Sequence, residues 1–219
     1  MKRLIQIGVI LCSIFLVVAC GKEKVKGSGH ITTQSRVLTS FNHISANGLI
    51  DLQVTANQSQ SVTVTTDNNI QPYVMLTVNN GTLQISTKRD YQLLPSRPIQ
   101  VVVSAPKLKS IATAGAVKVS VANINDKTFG LHCSGYSQTM LAGEVDKVSI
   151  GIDGAGEVDA RKLEAKEVNL DVTGSGKAMV SVSKKLNVKI SGTGRVTYYG
   201  KPPIINQAVF GDGKIQKGD

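Results

Sequence analysis

A chain of 219 residues with 25 basic against 15 acidic side chains is long enough for one ordinary domain and basic enough to favour acidic partners. A hydrophobic fraction of 41% with only 18% charge excludes a disordered protein, and three cysteines exclude a disulfide-stapled scaffold. The absence of Trp, with aromatics at 4%, leaves few platforms on which bases or sugars would stack.

Residues 1–19 read as an export signal. Lys2 and Arg3 give the positive start, and the apolar run 4–18 is short for a membrane span and right for a signal core. The run ends in Val17-Val18-Ala19-Cys20, which resembles the lipobox of bacterial lipoproteins, so Cys20 is the expected lipidation site. An ordinary signal peptide, or an uncleaved anchor with a chance cysteine, is the alternative. Gly21, a residue other than Asp after the cysteine, points by analogy with enteric bacteria to the outer membrane. After cleavage 23 basic and 15 acidic residues remain, a net charge of +8, and Cys133 is the one thiol without lipid. An unpaired thiol in an oxidising compartment must be buried or it reacts.

Residues 20–30 are charged and Gly-rich with no apolar period, and are expected to form an acylated flexible tether whose lysines reach anionic headgroups. Residues 31–219 then form a single domain, irregular and β-rich over 31–106 and regular over 107–219. In the first part, Ile44-Ser45-Ala46-Asn47-Gly48 and the following 49–54 read as one further coil of the later pattern. Residues 61–66 (SVTVTT) alternate as a strand should, and 74–87 read as a hairpin turning at Asn80-Gly81. Residues 90–98 read as a loop and 99–104 as another strand.

From there the chain repeats. Gly115, Gly135, Gly154, Gly174, Gly192 and Gly211 are spaced 20, 19, 20, 18 and 19 residues. Two residues before each stand Thr113, Cys133, Ile152, Val172, Ile190 and Val209. Four before stand Ile111, Leu131, Ile150, Leu170, Val188 and Gln207, and six before stand Lys109, Phe129, Val148, Val168, Leu186 and Ile205. Between these mostly apolar columns lie small or polar residues such as Ala112, His132, Gly151, Asp171 and Lys189. Period-two alternation describes a strand with one buried face. One such strand cannot close a core, but stacked copies can, which predicts a parallel β-helix whose coils turn at the six structural glycines. Six coils at about 4.8 Å would make a rod of roughly 29 Å. The irregular start would cap its open end.

The pattern Phe41-x-x-Ile44-x-x-x-Gly48-x-x-Asp51-x-x-Val54, then Gly81-x-Leu83-x-Ile85 and Pro106-x-Leu108-x-x-Ile111, resembles the opening of the head GIN domain family of auto-transporter adhesin-like bacterial proteins. The resemblance covers about residues 37–213. It implies a right-handed β-helix in an exported, often lipid-anchored protein, and no catalytic residues.

The candidates for chemistry are weak. Four Gly-x-Gly triplets at repeat spacing, none extending to the full dinucleotide fingerprint, are structural corners. His30, His43 and His132 are scattered. Asp153, Glu157, Asp159 and Asp171 share one flank, where calcium is the alternative to solvent-facing carboxylates beside Arg161, Lys162 and Lys177. No metal, cofactor or catalytic set is expected. The bases show no run in sequence, and nucleic acid is not an expected partner. The reading is a lipid-anchored envelope β-helix acting as a binding, adhesion-like or structural module. Its partners are the membrane through Cys20 and an anionic envelope polymer or a protein. A carbohydrate-active β-helix enzyme resembling a polysaccharide lyase is the alternative.

Overall fold

The computed structural model describes residues 22–219. The expected signal segment and Cys20 lie outside the described residues. The chain is a parallel β-solenoid of about five turns. Its regular part is built from four strands that each run almost a full coil: β11 (Val117–Gly135), β12 (Gln138–Gly154), β13 (Glu157–Gly174) and β14 (Lys177–Gly192). Each pairs in parallel with the next. Before them come β10 (Ser110–Gly115), and after them β15 (Arg195–Tyr199), β16 (Ile204–Phe210) and β17 (Lys214–Lys217).

The alternation predicted from sequence decides the packing. From β11 to β14 the residues two, four and six before the corner glycine point inward, whereas Lys109, six before Gly115, is exposed. Ile152, Val172 and Ile190 are fully buried, as are Val168 and Leu186. Neighbouring coils hold them in register, Ile152 beside Val172 and Val172 beside Ile190. The interior is therefore a set of continuous aliphatic ladders, and burying one Val or Leu contributes about 1.5–3 kcal/mol. The pattern fails in the last coil. Val209 and Ile205, counted above in the inner columns, are 40% exposed, because β16 has a neighbour on one side only among the described residues.

Coil length varies while the glycine column stays in line. The difference is absorbed on the opposite side, where the register shifts between Val121 and Ile124, Met140 and Ala142, and Ala160 and Glu164. Gly143, at φ +139°, and Asn123, at φ +60°, turn the chain at this second corner.

The first part of the chain has a topology that periodicity did not reveal. Strands β3 (His43–Asn47) and β4 (Ile50–Ala56) do form a coil, and it stacks on β10 and β11. Outside it lies a later stretch of chain: β7 (Thr82–Thr87) pairs with β3, and β9 (Ile99–Ala105) with β4. The order of coils in space is thus not the order in sequence. Three antiparallel strands close this end. They are β6 (Val74–Asn79) on β7, β5 (Ser61–Asp67) on β9, and β2 (Ile31–Ser35) on β5. A single 3-10 turn at Gln71–Tyr73 precedes the hairpin, whose Asn80 and Gly81 both take positive φ, as a tight two-residue turn requires.

Two expectations are corrected here. The tether expected over 20–30 contains strand β1 (Glu23–Lys26), and the loop expected over 90–98 contains strand β8 (Tyr91–Leu94). The two pair in parallel, and Val25 and Leu93 pack partly buried against the core. Lys24 and Lys26 make the segment look like solvated linker, and the one apolar residue that docks it gives no periodic signal.

Candidate functional site

Outward-facing side chains also stack, and they form the lateral faces where a ligand would meet the solenoid. Five residues before each corner glycine stand Ser110, Gly130, Ser149, Asn169, Asn187 and Asn206. The asparagines form a ladder. The Asn206 amide donates to Asn187 Oδ1 at 2.8 Å, and the Asn187 amide donates to Asn169 Oδ1 at 2.6 Å. At the capped end, His43 Nδ1 lies 2.6 Å from Ser110 Oγ. Beside this column runs another with Ala112, His132, Gly151, Asp171, Lys189 and Ala208. The small members let the surface sink, and the two columns floor a shallow groove of about 700 Å³. Such a column was legible in the same alignment of glycines. It was missed because apolar columns announce a core, whereas amides read as ordinary surface.

His132 Nε2 lies 3.4 Å from Asp153 Oδ2, both half-exposed, and Asp171 stands in register with Lys189 on the next coil. Asp153 and Asp171 do not converge with a third ligand. Among the described residues no group of three or more His, Cys, Asp or Glu side chains is placed to hold a metal ion.

A second hollow of about 750 Å³ lies on the face built from the first halves of β11 to β13. It is lined by Gln53, Ser120, Met140, Asp159, Arg161 and neighbours. Arg161 grips Asp159 with two hydrogen bonds, Nε to Oδ1 at 2.9 Å and Nη2 to Oδ2 at 2.6 Å. This fork holds the Asp159 carboxyl below the ordinary carboxylate range and raises the guanidinium. Lys166 donates to Asp146 Oδ1 at 2.6 Å, which lowers that carboxyl and raises the ammonium. Both pairs fix local conformation on exposed surface and contribute little stability.

The six corner glycines sit in one column at φ between +87° and +124°. Gly48, at φ +118°, heads the same column, with its backbone 3.5 Å from the place a Cβ on Gly115 would occupy. Cys133 is free and buried, with Sγ 3.6 Å from Thr139 Oγ1.

The family described as "Putative auto-transporter adhesin, head GIN domain" matches residues 40–202, most of the chain. The chain belongs to the head GIN domain family. Solved structures share the fold. A "putative adhesin" from Bacteroides fragilis superposes with a TM-score of 0.74 at 17% identity, covering 89% of this chain and 100% of that one. A "Putative lipid binding protein" from Parabacteroides distasonis gives 0.56 at 21% identity, and a "putative adhesin" from Parabacteroides merdae 0.52 at 21%. Each covers 90% of this chain and 100% of its own. No curated protein matches the chain. The head GIN fold itself is a scaffold of lateral faces, and among the described residues no helix is long and apolar enough to cross a membrane.

Proposed function

We propose that this head GIN protein is an exported, lipid-anchored module of the cell envelope that binds an extended partner along its side and performs no catalysis. The observation that carries the reading is the in-register repetition of the lateral face, of which the Asn169–Asn187–Asn206 ladder is the clearest case. The same amide presented on successive coils suits many weak contacts to a repeating chain, with strength from multivalency. The family and its adhesin-like structural neighbours support a surface role. The net positive charge favours an anionic envelope polymer or an acidic protein, with attraction that salt screens beyond about 8 Å at physiological ionic strength. The lipobox-like Val17-Val18-Ala19-Cys20 would supply the anchor.

Two measurements test this. Radiolabelled fatty acid should appear on the wild-type chain and be lost in Cys20→Ser, and label retained on that variant would refute the anchor. The full chain in neutral detergent, offered a panel of acidic polysaccharides, should bind weakly and salt-dependently without release of unsaturated products. Chain cleavage abolished by one carboxylate substitution would replace this reading with the lyase alternative.

A further inference from the structure

The positive charge gathers in the C-terminal coils. Residues 117–176 carry six basic and nine acidic side chains, whereas 177–219 carry eight basic and two acidic. Within that basic end the last three corners repeat one motif: Gly174-Ser175-Gly176-Lys177, Gly192-Thr193-Gly194-Arg195 and Gly211-Asp212-Gly213-Lys214. Earlier corners place Lys118, Gln138 and Glu157 at the same position.

Register turns this motif into a row. Lys177 pairs directly with Arg195, and Arg195 with Lys214, on adjacent parallel strands. The backbone fixes where each side chain starts. The N–H groups of Lys177, Arg195 and Lys214 donate to the carbonyls of Gly156, Gly176 and Gly194 at 2.8, 2.9 and 2.9 Å. All three side chains are exposed, and none makes an ion pair among the described residues. The neighbouring column holds the neutral Met179, Thr197 and Gln216, and the corner tips hold Ser175, Thr193 and Asp212. Strands lie about 4.8 Å apart, so the three basic side chains leave the backbone at that interval.

Like charges directly opposite on paired strands are destabilising. Several in-register pairs on this solenoid alternate in sign, Lys147 beside Glu167 beside Lys185 and Asp171 beside Lys189, whereas Glu144 stands beside Glu164. At the Gly-x-Gly corners Lys177 has Glu157 on its other side, but Arg195 has a cation on both sides, Lys177 and Lys214. An anion seated across the row would relieve the repulsion, and the adjacent hydroxyls of Ser175 and Thr193 can donate to it.

We propose that Lys177, Arg195 and Lys214 form a binding ladder for a linear polyanion whose carboxylate or phosphate groups repeat at about the spacing of the coils. This inference rests on the binding reading above and names its site.

The test uses the full chain in neutral detergent at low ionic strength. The probes are polygalacturonate and linear polyphosphate, with galacturonate and inorganic phosphate as monomeric controls. The triple variant Lys177→Gln/Arg195→Gln/Lys214→Gln is compared with Lys147→Gln/Lys162→Gln/Lys166→Gln, which removes the same charge from other positions. The ladder triple is expected to weaken polymer binding about tenfold or more, the control triple by much less, and the monomers to bind far more weakly than either polymer. Preference for polygalacturonate or polyphosphate tells carboxylate from phosphate recognition. Equal weakening by both triples overturns the ladder and leaves the binding reading standing, whereas no binding of either polymer by wild type overturns both. Melting of the single variant Arg195→Gln gives an independent reading. Without polyanion at low salt it should melt above wild type, and it should lose much of the rise that polyanion gives wild type. A lower melting temperature without polyanion, with that rise unchanged, would also overturn the ladder.

Discussion

A methyl group placed on Gly174 would lie 2.7 Å from the carbonyl oxygen of Gly154 on the preceding coil. The same residue holds φ at +107°, where a side chain is strained whatever the space. Gly174→Ala thus meets a steric and a conformational cost together, and the expected destabilisation is about 1–3 kcal/mol from backbone strain alone, with the clash in addition. Gly29 is the control. It has φ +82° but nothing within 4 Å of its missing Cβ. Urea melts should show a clearly larger loss for Gly174→Ala than for Gly29→Ala, and equal losses would mean the glycine column does not bear on coil stacking.

The inner and outer faces of one strand can be told apart by adjacent residues. Val172 is fully buried between Ile152 and Ile190, whereas Asp171 is exposed in the groove. Val172→Asp would bury a carboxylate without a partner, at a cost of several kcal/mol or by forcing its protonation. Loss of the cooperative transition is expected there, while Asp171→Ala should melt within about 0.5 kcal/mol of wild type. Similar melts for the two variants would contradict the alternation.

The regular coils are legible because each repeats the same three inward positions and the same corner glycine, so the alternation alone places Val168, Leu170 and Val172 inside. What sequence could not supply was pairing between segments remote in the chain. Nothing in 82–87 or 99–105 says that these strands stack outside 43–56, because their own alternation is satisfied by any parallel neighbour. The binding surface was legible only in part. The cations at 177, 195 and 214 are far apart in sequence and become a row through register alone.

Cys133 occupies the inner column with 1% of its surface exposed. Its thiol meets solvent only when the coil opens, so modification should follow local or global unfolding. Native protein is expected to react slowly with a thiol reagent and urea-unfolded protein at the rate of a free thiol. Prompt stoichiometric labelling of the native chain would show that the β11 and β12 coils are looser than their packing indicates.

Asp67 joins three segments of the capped end. Its carboxylate accepts hydrogen bonds from the Gly29 N–H at 2.7 Å and from the Ser96 N–H and hydroxyl at 2.9 and 2.7 Å. It thereby ties the chain between β1 and β2, and the chain between β8 and β9, to the end of β5. Burial acts to raise its pKa, but these donors outweigh burial and hold it below the ordinary value of 3.8. A group depressed in the folded state stabilises most above its unfolded pKa, and the contribution is lost as pH falls through the folded one. The cap should therefore stay intact through neutral and mildly acidic pH and loosen only below about pH 4. Asp67→Asn replaces one acceptor oxygen with a donor facing donors, so it should lower stability at pH 7 and flatten the acid dependence. Hydrogen exchange at residues 22–35, followed from pH 7 to pH 3, reads this directly. Unchanged protection in Asp67→Asn at pH 7 would show that β1 and β2 are held by their strand pairing and not by this carboxylate.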